Sequence, residues 1–430
     1  KNTLHGIIDI ALIQSCLNDG EVKPFVVDYG MVIVDECHHV SSVSFELVLR
    51  QVTATFVYGL TATPIRKDGH QPIIFMQCGK IRFTSDAKNQ MENQGFKRLL
   101  IPRFTSFRSI TSDRKTYVQI TQELSEDKVR NEFVMEDIKA AIQKGRTPLV
   151  LTTRTAHVKV LAQMLMPFAD HVIQLIGADS AKEKRLALQK LQSIPTSESL
   201  VIVATGKYVG EGFDYPRLDT LFLTMPIAWK GNVEQYAGRL HREYEGKSEV
   251  CIYDYVDIRV PLCDSMYRKR LKGYIKAGYG KNVTSPAPDK KSQELIYEQN
   301  NYEAAFRNDL AKAKHSVVIA VPKVKFKYKP SIMSALANLL HDGVSVVVHV
   351  KEEGANETEL SNAGMDVVCN KEQTLQCAII DKSIVWYGNI NFFGYNSETN
   401  NVMRITDYKI ANEMMEILYS ATENKANETR

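Results

Sequence analysis

A short β-branched run, Val32-Ile33-Val34, stops in two acids, Asp35-Glu36, and this junction constrains the chain more than any other feature. Such a run suits a parallel strand buried on both faces. A strand that ends in paired carboxylates delivers them to the carboxyl edge of the sheet, where open α/β sheets bind their ligands. There, one acid can hold Mg²⁺ on nucleotide phosphates while the other orients or deprotonates an attacking water. An acidic surface loop would use the same residues, so this junction alone leaves both readings open.

Three further strings narrow the choice. Gly59-Leu60-Thr61-Ala62-Thr63-Pro64 follows a second apolar strand, Phe56–Leu60, and Ala204–Asp214 (ATGKYVGEGFD) follows a third, Leu200–Ala204. Gln235–Arg242 (QYAGRLHR) comes last. Strands are also predicted at Pro148–Leu151, Val172–Leu175, Thr220–Leu223 and Glu249–Tyr253, with helices at Val158–Met164 and Lys182–Leu191 between them. Alternating strands and helices predict a parallel, doubly wound sheet. A third α/β unit is expected from strand Ser316–Val321, helix Ile332–Leu340 and strand Val344–Val350, with Gly343 as the helix C-cap.

The 430 residues suggest roughly three domains at about 150 each. The predicted division is 1–104, a connector over 105–135, a second domain over 136–272, a Gly-, Pro- and Lys-rich linker over 273–294, and a third domain over 295–425. The net charge of +4 decides little, because a small total can hide a basic groove. The seven cysteines form no CxxC pair, which argues against a zinc site or a disulfide framework. Reduced thiols and the absence of a long apolar run suggest a cytoplasmic protein with no membrane partner.

The four strings, in this order and spacing, resemble motifs II, III, V and VI of the superfamily 2 helicases, nearest to the restriction-enzyme type. The resemblance covers about residues 1–270 and implies two RecA-like domains with ATP between them. It implies Mg²⁺ coordination by Asp35 and general-base action by Glu36. Thr61, Thr63 and His38 would sense or couple the nucleotide, and Gly212 and Asp214 would touch it or the domain interface. Gln235, Arg239 and Arg242 would complete catalysis, the two arginines as fingers on the γ-phosphate, where planar cations stabilise transferring charge. Their spacing of three predicts a shared helical face.

Weaker matches suggest nucleic-acid contacts. Asp9–Ser15 resembles a strand and turn that would bring Gln14 and Ser15 to a phosphate, and Leu151–Arg154 resembles motif IV and would bring Arg154. Thr205 of motif V is assigned to the same strand. The partner implied is DNA, with RNA left open. Such a motor would translocate or unwind, in restriction, repair or defence. One departure stands out. No GxxxxGK[ST] phosphate loop occurs in the sequence, and only 34 residues precede Asp35. The expectation is a first domain that lacks its phosphate-binding half, in a piece inactive by itself.

Two basic stretches have rival readings. Tyr267–Lys276 could track a nucleic-acid backbone or form a solvated helix. Lys323–Lys329 alternates with period two, which predicts a strand with four lysines on one face.

Thr374, Gln376, Asp381, Gly388 and Asn391 stand at the positions of the phospholipase D signature, HxKxxxxD followed by Gly and Asn. The resemblance spans about 295–425. With Thr374 in the His position and Gln376 in the Lys position, the nucleophile and its cation are missing. The resemblance therefore implies an α/β phospholipase D-like fold without the reaction, pairing with a second copy as single-signature members do. The rival functions are a catalytically dead nucleic-acid-binding module and a phospholipase D-type nuclease.

Overall fold

The computed structural model describes residues 4–37, 43–61, 71–84, 96–109, 116–210, 213–227, 230–279, 281–282, 293–294, 296–325, 329–352, 354–371, 373–397 and 400–428. They divide into two compact units, residues 1–86 and 87–430.

The first unit is a small β-α-β-α element. Strand β1 (Met31–Val34) leads to helix α1 (Val43–Gln51), strand β2 (Phe56–Gly59) and helix α2 (Gln71–Cys78). The strands pair in parallel with Val34 opposite Gly59. Parallel neighbours need a crossover, and α1 provides it. Val34, Cys37, Leu49 and Ile74 form its buried core. The strand expected over the Asp9–Ser15 match is absent. Residues 9–12 take no regular form, and Ile13–Cys16 is a single 3₁₀ turn.

The second unit opens with a six-stranded, wholly parallel sheet. In chain order its strands are β3 (Lys97–Phe104), β4 (Pro148–Thr152), β5 (His171–Leu175), β6 (Leu200–Thr205), β7 (Thr220–Leu223) and β8 (Glu249–Val256), and they lie in the order β3-β8-β7-β4-β6-β5. Both faces carry helices: α3 (Tyr117–Glu126), α4 (Lys128–Gln143), α5 (Thr155–Leu165), α6 (Ala181–Ser193), the short α7 (Gly206–Gly210), α8 (Lys230–Leu240) and α9 (Pro261–Lys276). Local chemistry sets several of their starts. Thr116 with Gln119 and Ser180 with Glu183 form capping boxes, and Asp127 caps α4.

Three expected boundaries move. β3, placed in the first domain by sequence, pairs along its whole length with β8, about 150 residues downstream. The connector is no connector. α3 and α4 bury Ile120, Leu124, Val134 and Ile138 in this lobe. The linker also starts too early, because α9 runs to Lys276 and buries Tyr267, Arg270 and Tyr274. The basic-aromatic stretch 267–276 is therefore an amphipathic helix, with its tyrosines and Arg270 inside and Lys269 and Lys272 in solvent.

The third domain is built on a seven-stranded mixed sheet. Its strands are β9 (Ile296–Glu298), β10 (Ser316–Ala320), β11 (Ser345–Val350), β12 (Asp366–Cys369), β13 (Cys377–Ile380), β14 (Ile384–Gly388) and β15 (Asn401–Thr406), ordered β9-β15-β14-β13-β10-β11-β12. Helices α10 (Tyr302–Leu310), α11 (Pro330–His341), α12 (Ala355–Asn362) and α13 (Tyr408–Glu428) complete it. Gly343, at φ +79°, ends α11 in the left-handed conformation expected of a C-cap glycine. The strand expected over Lys323–Lys329 does not form in its described part. Residues 321–325 and 329 are irregular, and Lys329 is buried against Glu303 at 2.8 Å. Residues 326–328 lie outside the described residues.

One continuous apolar core joins this domain to the parallel lobe. Tyr387 of β14 packs edge-on against Phe104 of β3, with ring centroids 4.9 Å apart. The guanidinium of Arg103 reaches Glu413 of α13 at 2.8 Å and also pairs with Asp137 of α4.

Candidate functional site

In the first unit, backbone pairing presents the motif II acids. The Leu60 amide donates to Val34 O, and the Cys37 amide donates to Leu60 O, each at 2.9 Å. Asp35 and Glu36 form the turn between these two anchors. Glu36 adopts φ +47°, a left-handed conformation uncommon outside glycine. Asp35 is exposed, and its Oδ1 accepts from the Glu36 amide at 2.9 Å, while Glu36 is half-buried. Thr61 follows Leu60 directly, so motifs II and III share one end of the β1–β2 pair.

Behind that turn Cys37 is buried, and burial raises its thiol pKa. Gly59 is required there, because a Cβ would stand 2.8 Å from Cys37 Sγ and 3.0 Å from Cys78 Cβ. His38 and Thr63 lie outside the described residues. Gln14 is exposed on its 3₁₀ turn, and Ser15 Oγ donates to Leu12 O at 2.6 Å.

In the second unit, motifs V and VI interlock. Thr205 ends β6, and its Oγ1 accepts from the Gly177 amide at 2.9 Å, which ties two strand ends together. Gly206 follows with no room for a side chain: a Cβ would lie 2.4 Å from the Tyr236 hydroxyl. Tyr236, Ala237 and Leu240 bury one face of α8, which leaves Gln235 exposed and Arg239 half-buried.

The shared helical face expected for the two arginines does not form. α8 ends at Leu240, and Arg242 lies beyond it, where its Nε donates to Asp214 Oδ1 at 3.1 Å. Both partners of that pair are about half exposed, so the pair itself stabilises little. Gly212 lies outside the described residues.

Lys247 carries no motif signal, yet its Nζ donates to Pro216 O, Leu240 O and Arg242 O at 2.6, 3.1 and 2.8 Å. A cation against the last carbonyls caps the motif VI helix. Burial lowers its pKa to about 8.

The motif IV segment is held by a buried relay. Thr152 Oγ1 meets His157 Nδ1, and His157 Nε2 meets Asn131 Oδ1, both at 2.9 Å. Burial drives the His157 pKa down to about 3, so the ring is neutral. It donates from Nε2 to the amide oxygen and accepts at Nδ1. Arg154, half-buried, donates to Val118 O at 3.4 Å.

In the third domain every matching signature residue has a structural task. Asp381 closes the β13–β14 hairpin at φ +48°, followed by Lys382 at the same φ. Its carboxylate accepts from the amides of Lys314 and His315 at 2.8 Å and of Ser316 at 2.9 Å. Burial works against the charge, yet these amides bring its pKa below the ordinary value. Gly388 admits no Cβ, which would stand 2.3 Å from Asn401 O. Asn391 Oδ1 accepts from the Phe393 amide, and its Nδ2 donates to Lys323 O. Thr374 is exposed, and Gln376 is half-buried. His349 is buried edge-on to Tyr419 with its pKa lowered by burial to about 4, a sheet residue as its apolar strand predicted.

Among the described residues no three His, Cys, Asp or Glu side chains gather as a metal cage. An ion carried on nucleotide phosphates needs only one or two carboxylates from the protein, and Asp35 offers a hard oxygen donor that suits Mg²⁺. No helix among the described residues is long and apolar enough to cross a membrane.

Residues 4–66 match the family "Type III restriction enzyme, res subunit". A transcript termination protein of Yaba-like disease virus is 26% identical over 274 residues, covering 59% of this chain and 54% of its own. A protein of Escherichia phage T5 named a probable helicase is 24% identical over 228 residues, covering 53% of this chain and 49% of its own. The chain thus spans about half the length of these curated relatives. A solved phospholipase D family member, Nuc from Salmonella typhimurium, overlaps 30% of this chain and 91% of its own at 20% identity and a TM-score of 0.26.

Proposed function

The chain belongs to the superfamily 2 helicases, and from that premise we propose that it is the motor part of a nucleic-acid-dependent ATPase that translocates on or unwinds DNA. The observation that carries this reading is the motif II turn. Two backbone anchors on Leu60 present Asp35 and Glu36 at a parallel-strand end, with Glu36 held at φ +47°. Strained backbone of this kind concentrates at functional sites.

In this reading Asp35 holds the Mg²⁺ of the nucleotide, which neutralises phosphate charge. Glu36 takes the proton of the attacking water on its carboxylate. Arg239 and Arg242 stabilise charge on the γ-phosphoryl group, and Arg242 exchanges Asp214 for that role. Thr61 and Thr63 couple the nucleotide to the rest of the motor, as do Gly212 and His38, while Gln14, Ser15, Arg154 and Thr205 face nucleic acid. No GxxxxGK[ST] string occurs in these 430 residues, so this reading needs a phosphate-binding element that the sequence does not contain. The biological setting in this reading is DNA restriction, repair or defence in the cytoplasm.

The third domain does not cleave phosphodiesters in this reading. Thr374 has no base within its signature to activate it, and Asp381 is spent on three amides. Both faces of its sheet are covered, one by its own helices and one by the core shared with the parallel lobe. Among the described residues that leaves no open apolar sheet face to pair with a second copy.

The deciding experiment is Glu36→Gln in the complete protein. ATP turnover with DNA should fall by about 10³-fold while affinity for ATP stays within about threefold. Wild-type turnover would refute the motor reading. A labelled-duplex cleavage assay in EDTA decides the nuclease alternative.

A further inference from the structure

The third domain shares a core with the parallel lobe, and one helix touches both that domain and motif VI. α9 packs against the motif VI helix α8. At its C-terminal half Arg270 is 1% exposed and makes a bidentate pair with the equally buried Asp254 at 2.9 and 2.8 Å. Its remaining nitrogen, Nη1, donates to Ile227 O at 2.7 Å. Tyr274, one turn on, donates to Asp254 Oδ2 at 2.6 Å. Ile227 belongs to the short segment that carries the chain from β7 into α8. That segment is pinned twice more: Thr224 Oγ1 donates to Leu151 O at 2.7 Å, and Tyr117 Oη donates to Pro226 O at 2.9 Å. A planar guanidinium with its hydrogen bonds committed in this geometry fixes position rather than supplying loose charge.

The other half of α9 turns one face to the third domain. Asp264 accepts from the Tyr387 hydroxyl of β14, and Arg268 pairs with the same Asp264. Tyr267 Oη donates to Met403 Sδ of β15 at 3.3 Å, and its ring lies 5.8 Å from that of Tyr387. α9 is therefore a single rigid rod seated in the third domain at one end and holding the approach to motif VI at the other.

We propose that the third domain acts on the motor as a brace, and that Arg270 is the positioning residue through which its hold on α9 reaches motif VI. This gives the domain a task that needs no phosphodiester chemistry. It rests on the ATPase reading, because what is positioned is the helix that carries Gln235 and Arg239. A guanidinium displaced by about 1 Å can cost a catalytic step about 10²-fold without weakening substrate binding. A lysine at 270 keeps one charge but cannot span Asp254 and Ile227 O together.

The test uses the complete protein and reads DNA-stimulated kcat per nucleotide-binding site, KM for ATP and thermal unfolding. Two variants are compared with wild type: Arg270→Lys, and the double variant Tyr267→Phe with Tyr387→Phe, which removes the interdomain hydroxyls while keeping the rings. Arg270→Lys should lower kcat about tenfold or more with KM within about threefold, and the double variant should lower kcat about threefold at unchanged KM. Wild-type kcat in both overturns the proposal, and so does a fall that merely tracks lost binding sites. If Arg270→Lys does not fold, the double variant decides alone. Arg239→Ala runs in parallel: full turnover there sinks the motif VI assignment itself, whereas lost turnover there with wild-type kcat in the other two sinks only the brace.

Discussion

Two acids in this molecule sit in the same unusual backbone conformation at the ends of strands, and they do opposite things. Glu36 follows β1 at φ +47°, and Asp381 follows β13 at φ +48°. Asp381 turns its carboxylate back onto three consecutive amides and closes a hairpin, so its strain is repaid locally. At motif II the turn is pinned across to Leu60 through Val34 O and the Cys37 amide, and Asp35 Oδ1 accepts from the Glu36 amide within it. The same backbone conformation thus closes a hairpin at one site and turns a motif between two pinned strands at the other, and motif sequence alone does not separate the two.

The sharpest break of that comparison is reciprocal substitution. Glu36→Gln should cost about 4 kcal/mol in the barrier to hydrolysis, the equivalent of about 10³-fold, and leave the melting temperature within about 2 °C. Asp381→Ala should do the reverse. It removes three charge-assisted amide bonds, two of them at exposed residues that water reaches, and should cost about 1–2 kcal/mol of folding stability, read by denaturant unfolding, with hydrolysis per folded molecule unchanged. An Asp381 variant that unfolds like wild type would show that the three amide bonds contribute nothing net.

A pH series sharpens the contrast. Burial drives His157 and His241 from 6.5 down to about 3, and His349 to about 4. Between pH 6.5 and those values the unfolded chain binds protons that the folded one refuses. Their stabilisation is therefore full above about pH 6.5 and is lost on acidification, by about 1.4 kcal/mol per pH unit for each ring. Asp381 adds a lower limb. Its folded pKa lies below 3.8, so its contribution is present above 3.8 and is lost as pH falls through the folded value. Unfolding of Asp381→Ala should keep the histidine limb and lose the lower one.

A smaller effect probes the strain directly. Glu36→Gly removes the penalty of a side chain at positive φ and should raise stability by about 1 kcal/mol while abolishing turnover. Equal or lower stability would mean that Glu36 is held by contacts worth more than the strain it carries. Smallest of all, Asp214→Ala removes a half-exposed pair with Arg242 and should shift stability by less than about 1 kcal/mol.

Much of this was legible in the chain itself. The strands at 148–151, 172–175, 200–204, 220–223 and 249–253 appear within a few residues of their predicted places, because a buried parallel strand is a continuous apolar run that can be read locally. The Gly343 cap was equally readable, being single-residue chemistry. Lys247 could have been suspected only as a cation shortly after a helix, a signal too common to single it out.

The sequence by itself determined where most of the continuous apolar runs become strands and which side chains stand at their ends. Only the tertiary structure decided where those segments belong. β3 joins the second sheet through a partner some 150 residues away, and no local pattern records a parallel pairing that distant. Lys329, Arg270 and Tyr267 read as surface cations and aromatics, yet Glu303, Asp254 and Met403 take them inside. A charge can be buried only where its partner waits, and that partner is supplied by the fold.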